Sequence, residues 1–124
     1  MRRNMFQLEV DVPRNILRLS FIECFDARQG ERLCEEISLK ILQLKPGFKI
    51  VNDLTRLEHM EFEAHRHIDE VMDICNRYGV EKVVRVITRE NHDIGFGIMS
   101  MFHYSPAVSI HTCYSLEEAE RFLT

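Results

Sequence analysis

Two apolar runs rich in β-branched residues, Phe48-Lys49-Ile50-Val51 and Lys82-Val83-Val84-Arg85-Val86-Ile87-Thr88, flank one amphipathic helical stretch. Strand, helix and strand in that order leave few folds open. Parallel strands cannot be joined by a tight turn, so the intervening helix crosses one face of a sheet, with a right-handed connection. Strands covered on both faces read as near-continuous apolar runs, as these do. The first run turns polar at Asn52-Asp53, which reads as the point where the strand leaves the sheet at its C-terminal edge. Binding sites collect at that edge in open α/β folds. The helix is expected from about Met60 to Tyr78, with Ala64, Ile68, Val71, Met72 and Cys75 buried and Gly79 just past its end, where a left-handed backbone is needed.

The rest of the chain extends the same alternation. Phe6, Leu8 and Val10 alternate with polar residues, Pro13 interrupts, and Leu17, Leu19 and Phe21 resume, the pattern of an antiparallel hairpin. Asp26 with Gln29 forms a capping-box pair for a first helix carrying Leu33, Ile37, Ile41 and Leu44, ended by Lys45-Pro46-Gly47. A third helix is read through Ile94, Ile98, Met101 and Phe102. A last strand follows from Ala107 to Cys113, and a final helix is capped by Ser115 with Glu118. The expected order is β-β-α-β-α-β-α-β-α: an α/β fold with a mixed, mostly parallel sheet and four helices, in one domain spanning residues 1–124.

The formal net charge of -4 argues against a nucleic-acid surface, which needs a basic stripe. Met1-Arg2-Arg3 is followed by alternation and not by an apolar core, so no signal peptide is read, and no apolar run approaches the ~20 residues of a membrane span. A cytoplasmic protein is expected. Cys24, Cys34, Cys75 and Cys113 are scattered without a C-x-x-C pair and read as small buried hydrophobes in a reducing compartment.

Candidate chemistry is sparse. His59, Glu63 and His67 are spaced by four on the second helix, with His65 and Asp69 on a neighbouring line. Such groups can hold a divalent ion, but H-E-x-x-H is absent and no cysteine lies nearby in sequence. A solvated helix face is the reading, and no metal or other cofactor is expected. Asn52, Asp53 and Thr55 either contact a polar ligand or shape the loop by bonding nearby backbone. Gly95-Phe96-Gly97 lacks the third glycine of a dinucleotide fingerprint, and there is no P-loop and no G-x-S-x-G elbow. His111 and Cys113 share a strand face, too little for a nucleophilic site. No enzyme is expected.

Two local matches, together with the element order, carry a family resemblance. Asp53-Leu54-Thr55 is similar to an Asp-Leu-Ser segment, and Ser115-Leu116-Glu117-Glu118-Ala119 to a closing-helix start, of the STAS fold of SpoIIAA-like anti-sigma factor antagonists. The closer resemblance is to small stand-alone bacterial STAS-like proteins of unassigned function. The resemblance covers nearly the whole chain and implies a SpoIIAA-like fold and a regulatory protein-interaction role without catalysis. The implied partner is another protein, a regulatory kinase or a sigma-pathway component. In the antagonists a serine phosphorylated by the partner kinase lies in an Asp-Ser-Ser-Gly-like turn at the start of the second helix. That turn falls here on Glu61-Phe62-Glu63-Ala64, which has no hydroxyl. Glu61 and Glu63 then either imitate a phosphorylated state or complement the helix dipole. The expected partner surface is Asp53, Thr55, His59, Glu61, Phe62 and Glu63. The alternative function, by analogy to the similar fold of CRAL-TRIO lipid-binding domains, is a carrier of a small apolar or lipid-like ligand, in a pocket lined by Phe96, Met99, Met101 and Phe102. A homodimer is compatible with both.

Overall fold

A computed structural model describes residues 4–88 and 106–123. Strands β1 (Phe6–Asp11), β2 (Ile16–Phe25), β3 (Lys49–Met60), β4 (Lys82–Val86) and β5 (Ser109–Cys113) form one sheet in the order β1-β2-β3-β4-β5. β1 is antiparallel to β2, and all other pairs are parallel. This is the mixed, mostly parallel α/β sheet expected, with the opening hairpin as its antiparallel edge. Helices α1 (Ala27–Lys40), α2 (His65–Arg77) and α3 (Leu116–Glu120) complete the described residues. The expected helix through Ile94 to Phe102 lies outside them.

Residue alternation sorts the two faces. Ile50 and Val83 join Leu17, Leu19 and Phe21 under α1 and α2, where Leu33, Ile37, Ile68 and Met72 close the larger core. Their neighbours Val51 and Val84 point the other way, toward Ala119 and Leu123 at α3, with Ile16, Val86 and Cys113. Lys49 and Lys82 tie the end of the chain down through their ammonium groups, which donate to the carbonyls of Leu123 and Phe122 at 3.2 and 2.9 Å. Gly79 takes φ +89, as its place after α2 requires.

Three expectations are corrected. β3 does not leave the sheet at Asn52-Asp53 but runs to Met60, and α2 begins only at His65, after a one-turn 3-10 helix at Phe62–Ala64. The cause is two bulges. Between the pairs Ser20↔Asp53 and Ile22↔Arg56, β3 advances three residues while β2 advances two; between Glu23↔Leu57 and Cys24↔His59, it advances two against one. Each bulge inserts one residue, so buried Leu54, Leu57 and Met60 recur every three positions and imitate a helix face. Second, Cys24 is exposed. It sits beside the second bulge, where Glu23 adopts φ +52 and the in-out alternation of β2 is broken. Third, Gln29 does not close its capping box. Asp26 Oδ1 accepts from the Gln29 amide at 2.9 Å, but Gln29 Oε1 accepts from the Met5 amide at 2.6 Å, anchoring the segment before β1 instead.

Candidate partner-binding site

The six residues of the expected partner surface separate into two groups. Asp53 is the last β3 residue paired to β4, opposite Val86, and is 7% exposed. Its Oδ1 accepts from both the Thr55 amide at 2.9 Å and the Thr55 hydroxyl at 2.6 Å. That closed pair spans the first bulge, so these polar groups shape the strand. Asn52, beside them, is 2% exposed. His59, Glu61, Phe62 and Glu63 instead follow one another along the chain from the second bulge, where β3 hands it to α2.

Phe62 is the feature at this end of the sheet. It is 78% exposed, the most exposed aromatic among the described residues. Burying such a side chain is worth about 1.5–3 kcal/mol, so its position on the surface forgoes a sizeable stabilisation. Its ring centroid lies 4.7 Å from the imidazole of His65, and with Glu63, Arg66 and Asp69 the two line a shallow open depression. The backbone beneath is fixed: the Glu61 amide donates to the Phe25 carbonyl at 2.9 Å, and the Ala64 amide to the Glu61 carbonyl at 3.0 Å. Glu61 is extended and half-buried, and neither it nor Ala64 caps the following turn with a side chain. Cys24, paired in register with His59, has its thiol pushed up by desolvation first and then by the charges of Glu61 and Asp26.

The expected histidine face does not exist as drawn. His59 is on β3, Glu63 in the 3-10 turn and only His67 on α2, so a spacing of four no longer places them on one line. Instead α1 brings Cys34 to His67 and Glu70, with one ligand atom from each all within 4.8 Å of one another. Helical spacing puts His67 and Glu70 on one face, but nothing local in the sequence links either to Cys34, 33 residues before His67. His111 and Cys113 are engaged separately. The His111 ring stacks on Phe122 at 4.5 Å and meets Ser109 Oγ at 2.8 Å, while the Cys113 thiol faces the carbonyls of Arg85 and Ser115. The expected pocket of Phe96, Met99, Met101 and Phe102 lies outside the described residues, and no helix among those described is long and apolar enough to cross a membrane.

No family model matches the chain, and no curated protein matches it. Solved structures do. An uncharacterized protein of the DUF3478 family with a SpoIIAA-like fold, from Shewanella loihica PV-4, superposes with a TM-score of 0.68 at 14% identity, over 100% of this chain and 99% of that one. The anti-sigma factor antagonist SpoIIAA in its unphosphorylated form gives 0.58 at 16% identity, over 94% of each chain. The Bacillus cell fate determinant SpoIIAA in its phosphorylated form gives 0.55 at 18% identity, over 96% of this chain and 99% of that one. With its antiparallel β1 edge, parallel β2 to β5 and flanking helices, the chain has a SpoIIAA-like fold.

Proposed function

We propose that the protein is a non-enzymatic, STAS-type interaction module that binds another protein through the β3-to-α2 junction. The observation that carries this reading is Phe62, an aromatic side chain held in solvent on a fixed backbone between Glu61 and Glu63. Rigid exposed aromatics ringed by charge are the usual anchors of protein interfaces: the ring supplies the buried area and the carboxylates set charge complementarity. His59, exposed near the end of β3, is taken to extend this surface. Asp53 and Thr55 contribute by fixing the course of β3, not by touching the partner.

Two of the structural neighbours are SpoIIAA, one phosphorylated and one, an anti-sigma factor antagonist, unphosphorylated. In this chain Glu61, Phe62, Glu63 and Ala64 offer no hydroxyl at the start of α2, so the module works without a serine switch at that turn. Its negative charge there comes from side chains and needs no phosphorylation, and a partner with a basic surface around an apolar pocket fits it. A regulatory kinase or sigma-pathway component is the partner class that the fold suggests by analogy.

Affinity capture from the native host, followed by binding measurements with the purified captured protein, tests the reading. Phe62→Asp is expected to weaken that binding by more than ~30-fold, the loss expected for an interface hot spot. A captured protein whose affinity is unchanged by Phe62→Asp and by Glu61→Lys would overturn it.

A further inference from the structure

We infer that Cys34, His67 and Glu70 form a site for a borderline-soft divalent cation of the zinc type, clasping α1 to α2. Sulfur, imidazole nitrogen and carboxylate oxygen converge within 4.8 Å from two different helices. In a tetrahedral zinc centre with metal–ligand distances near 2.0–2.3 Å, ligand atoms sit about 3.6 Å apart, so side-chain rotation of about an ångström completes the geometry. A mixed S, N and O set selects zinc-like ions over magnesium or calcium, which want oxygen alone. Three protein ligands leave the fourth position to water, or to a neighbouring carboxylate.

The helices are built to bring these groups together. A Cβ on Gly30 would lie 2.7 Å from His67 Cβ and 2.9 Å from its Cγ, so only glycine lets the imidazole seat against α1 at this height. Gly30 is one turn before Cys34 on the same helix face. The Cys34 thiol lies 3.3 Å from the His67 carbonyl, which holds it against α2. Burial, and after it the Glu70 carboxylate, push the thiol up to about 12, so the metal-free protein keeps it protonated. A cation seated between them reverses the sign of that interaction: the thiol releases its proton to water and the thiolate and carboxylate share the ion. Cys34 is buried, His67 half-buried and Glu70 exposed, so the ion enters from the Glu70 side.

The test uses the whole purified chain, reduced and stripped with a chelator, titrated with Zn2+ in competition with a chromophoric chelator and separately with Co2+. One ion per chain is expected, with a thiolate-to-cobalt charge-transfer band in the near ultraviolet. At a hundredfold excess of Zn2+ over Kd the melting temperature should rise by roughly 10 °C. Cys34→Ser and His67→Gln should each weaken binding by more than about 100-fold, above the 10–100-fold typical of lost outer partners. Glu70→Gln, a change at an exposed position that leaves the core intact, should weaken it about tenfold or more. Cys24→Ser, which removes the exposed thiol, should leave affinity and the cobalt band unchanged. No binding, binding without the thiolate band, or binding indifferent to both Cys34→Ser and Glu70→Gln would overturn the site.

Discussion

Helices α1 and α2 begin at the same end of the sheet, and they begin differently. At α1 the chain steps from Phe25 to Asp26, whose carboxylate caps the Gln29 amide. At α2 it passes through a 3-10 turn with no side-chain cap and carries Phe62 out into water. Phe25 serves both starts. It precedes the α1 cap, its carbonyl receives the Glu61 amide, and its ring packs edge-on against Phe21 at 4.9 Å and Phe6 at 6.3 Å. One start has a side-chain cap, and the other has none.

Mutations can break that contrast or sharpen it. Phe25→Ala keeps the carbonyl that receives the Glu61 amide but removes the ring and leaves a cavity beside both starts; a loss of about 3–5 kcal/mol in denaturant unfolding is expected. A much smaller loss would mean that the two starts are held independently. Asp26→Ala removes only the α1 cap, with an expected cost of about 1 kcal/mol, or roughly 4 °C in melting temperature. An effect near zero would erase the distinction between the capped and uncapped starts.

A smaller effect is expected at α3, whose Glu120 accepts from Arg18 at 2.8 Å and Arg14 at 3.2 Å. The hydrogen bond from Arg18, ahead of its charge and of Arg14, holds this carboxyl below its ordinary value. A depressed folded value means the stabilisation is present above the unfolded carboxyl pKa and is lost as pH falls through the lower folded one. Because the pair is well exposed, the whole contribution should be under about 1 kcal/mol, read as the part of the acid-unfolding profile that Glu120→Gln removes. Smallest of all should be the effect of Phe62→Asp on stability, within about 0.5 kcal/mol, since the ring is already in solvent. A large loss of melting temperature would place Phe62 in the core and end its role as an anchor.

The fold was legible wherever local chemistry and tertiary pairing agree. Asp26 and Ser115 announced their helices, and the Ser115 hydroxyl does accept from the Glu118 amide at 3.0 Å. Gly79 marked the end of α2, and the alternation in β1 and β2 gave the hairpin. Legibility failed where the partner strand decides the conformation. Leu54, Leu57 and Met60 carry a three-residue spacing that a helix and a twice-bulged strand share, and only the register with β2 distinguishes them. The same error put His59 on a helix and so composed a histidine face from residues of three different elements. Cys34 and His67 meet through the packing of α1 on α2, a contact that no local pattern encodes. Phe62 was readable as a candidate because the fold resemblance marked its turn, but its exposure was not, since an apolar residue at a helix start is as often buried as bare.

The order of strands in the sheet is the order of strands in the chain. Each strand's earlier neighbour has therefore already been synthesised when that strand appears. The first closure, Asp11 to Ile16, spans a short turn, and the next, Ile16 to Lys49, follows only after α1 is complete. Parallel pairings are slow to find because long loops must close first, and chains that wait with open edges are prone to associate. Here a nascent chain can grow its sheet outward from the hairpin, one crossover at a time, and no early strand is kept waiting for a late one to cover the gap between two others.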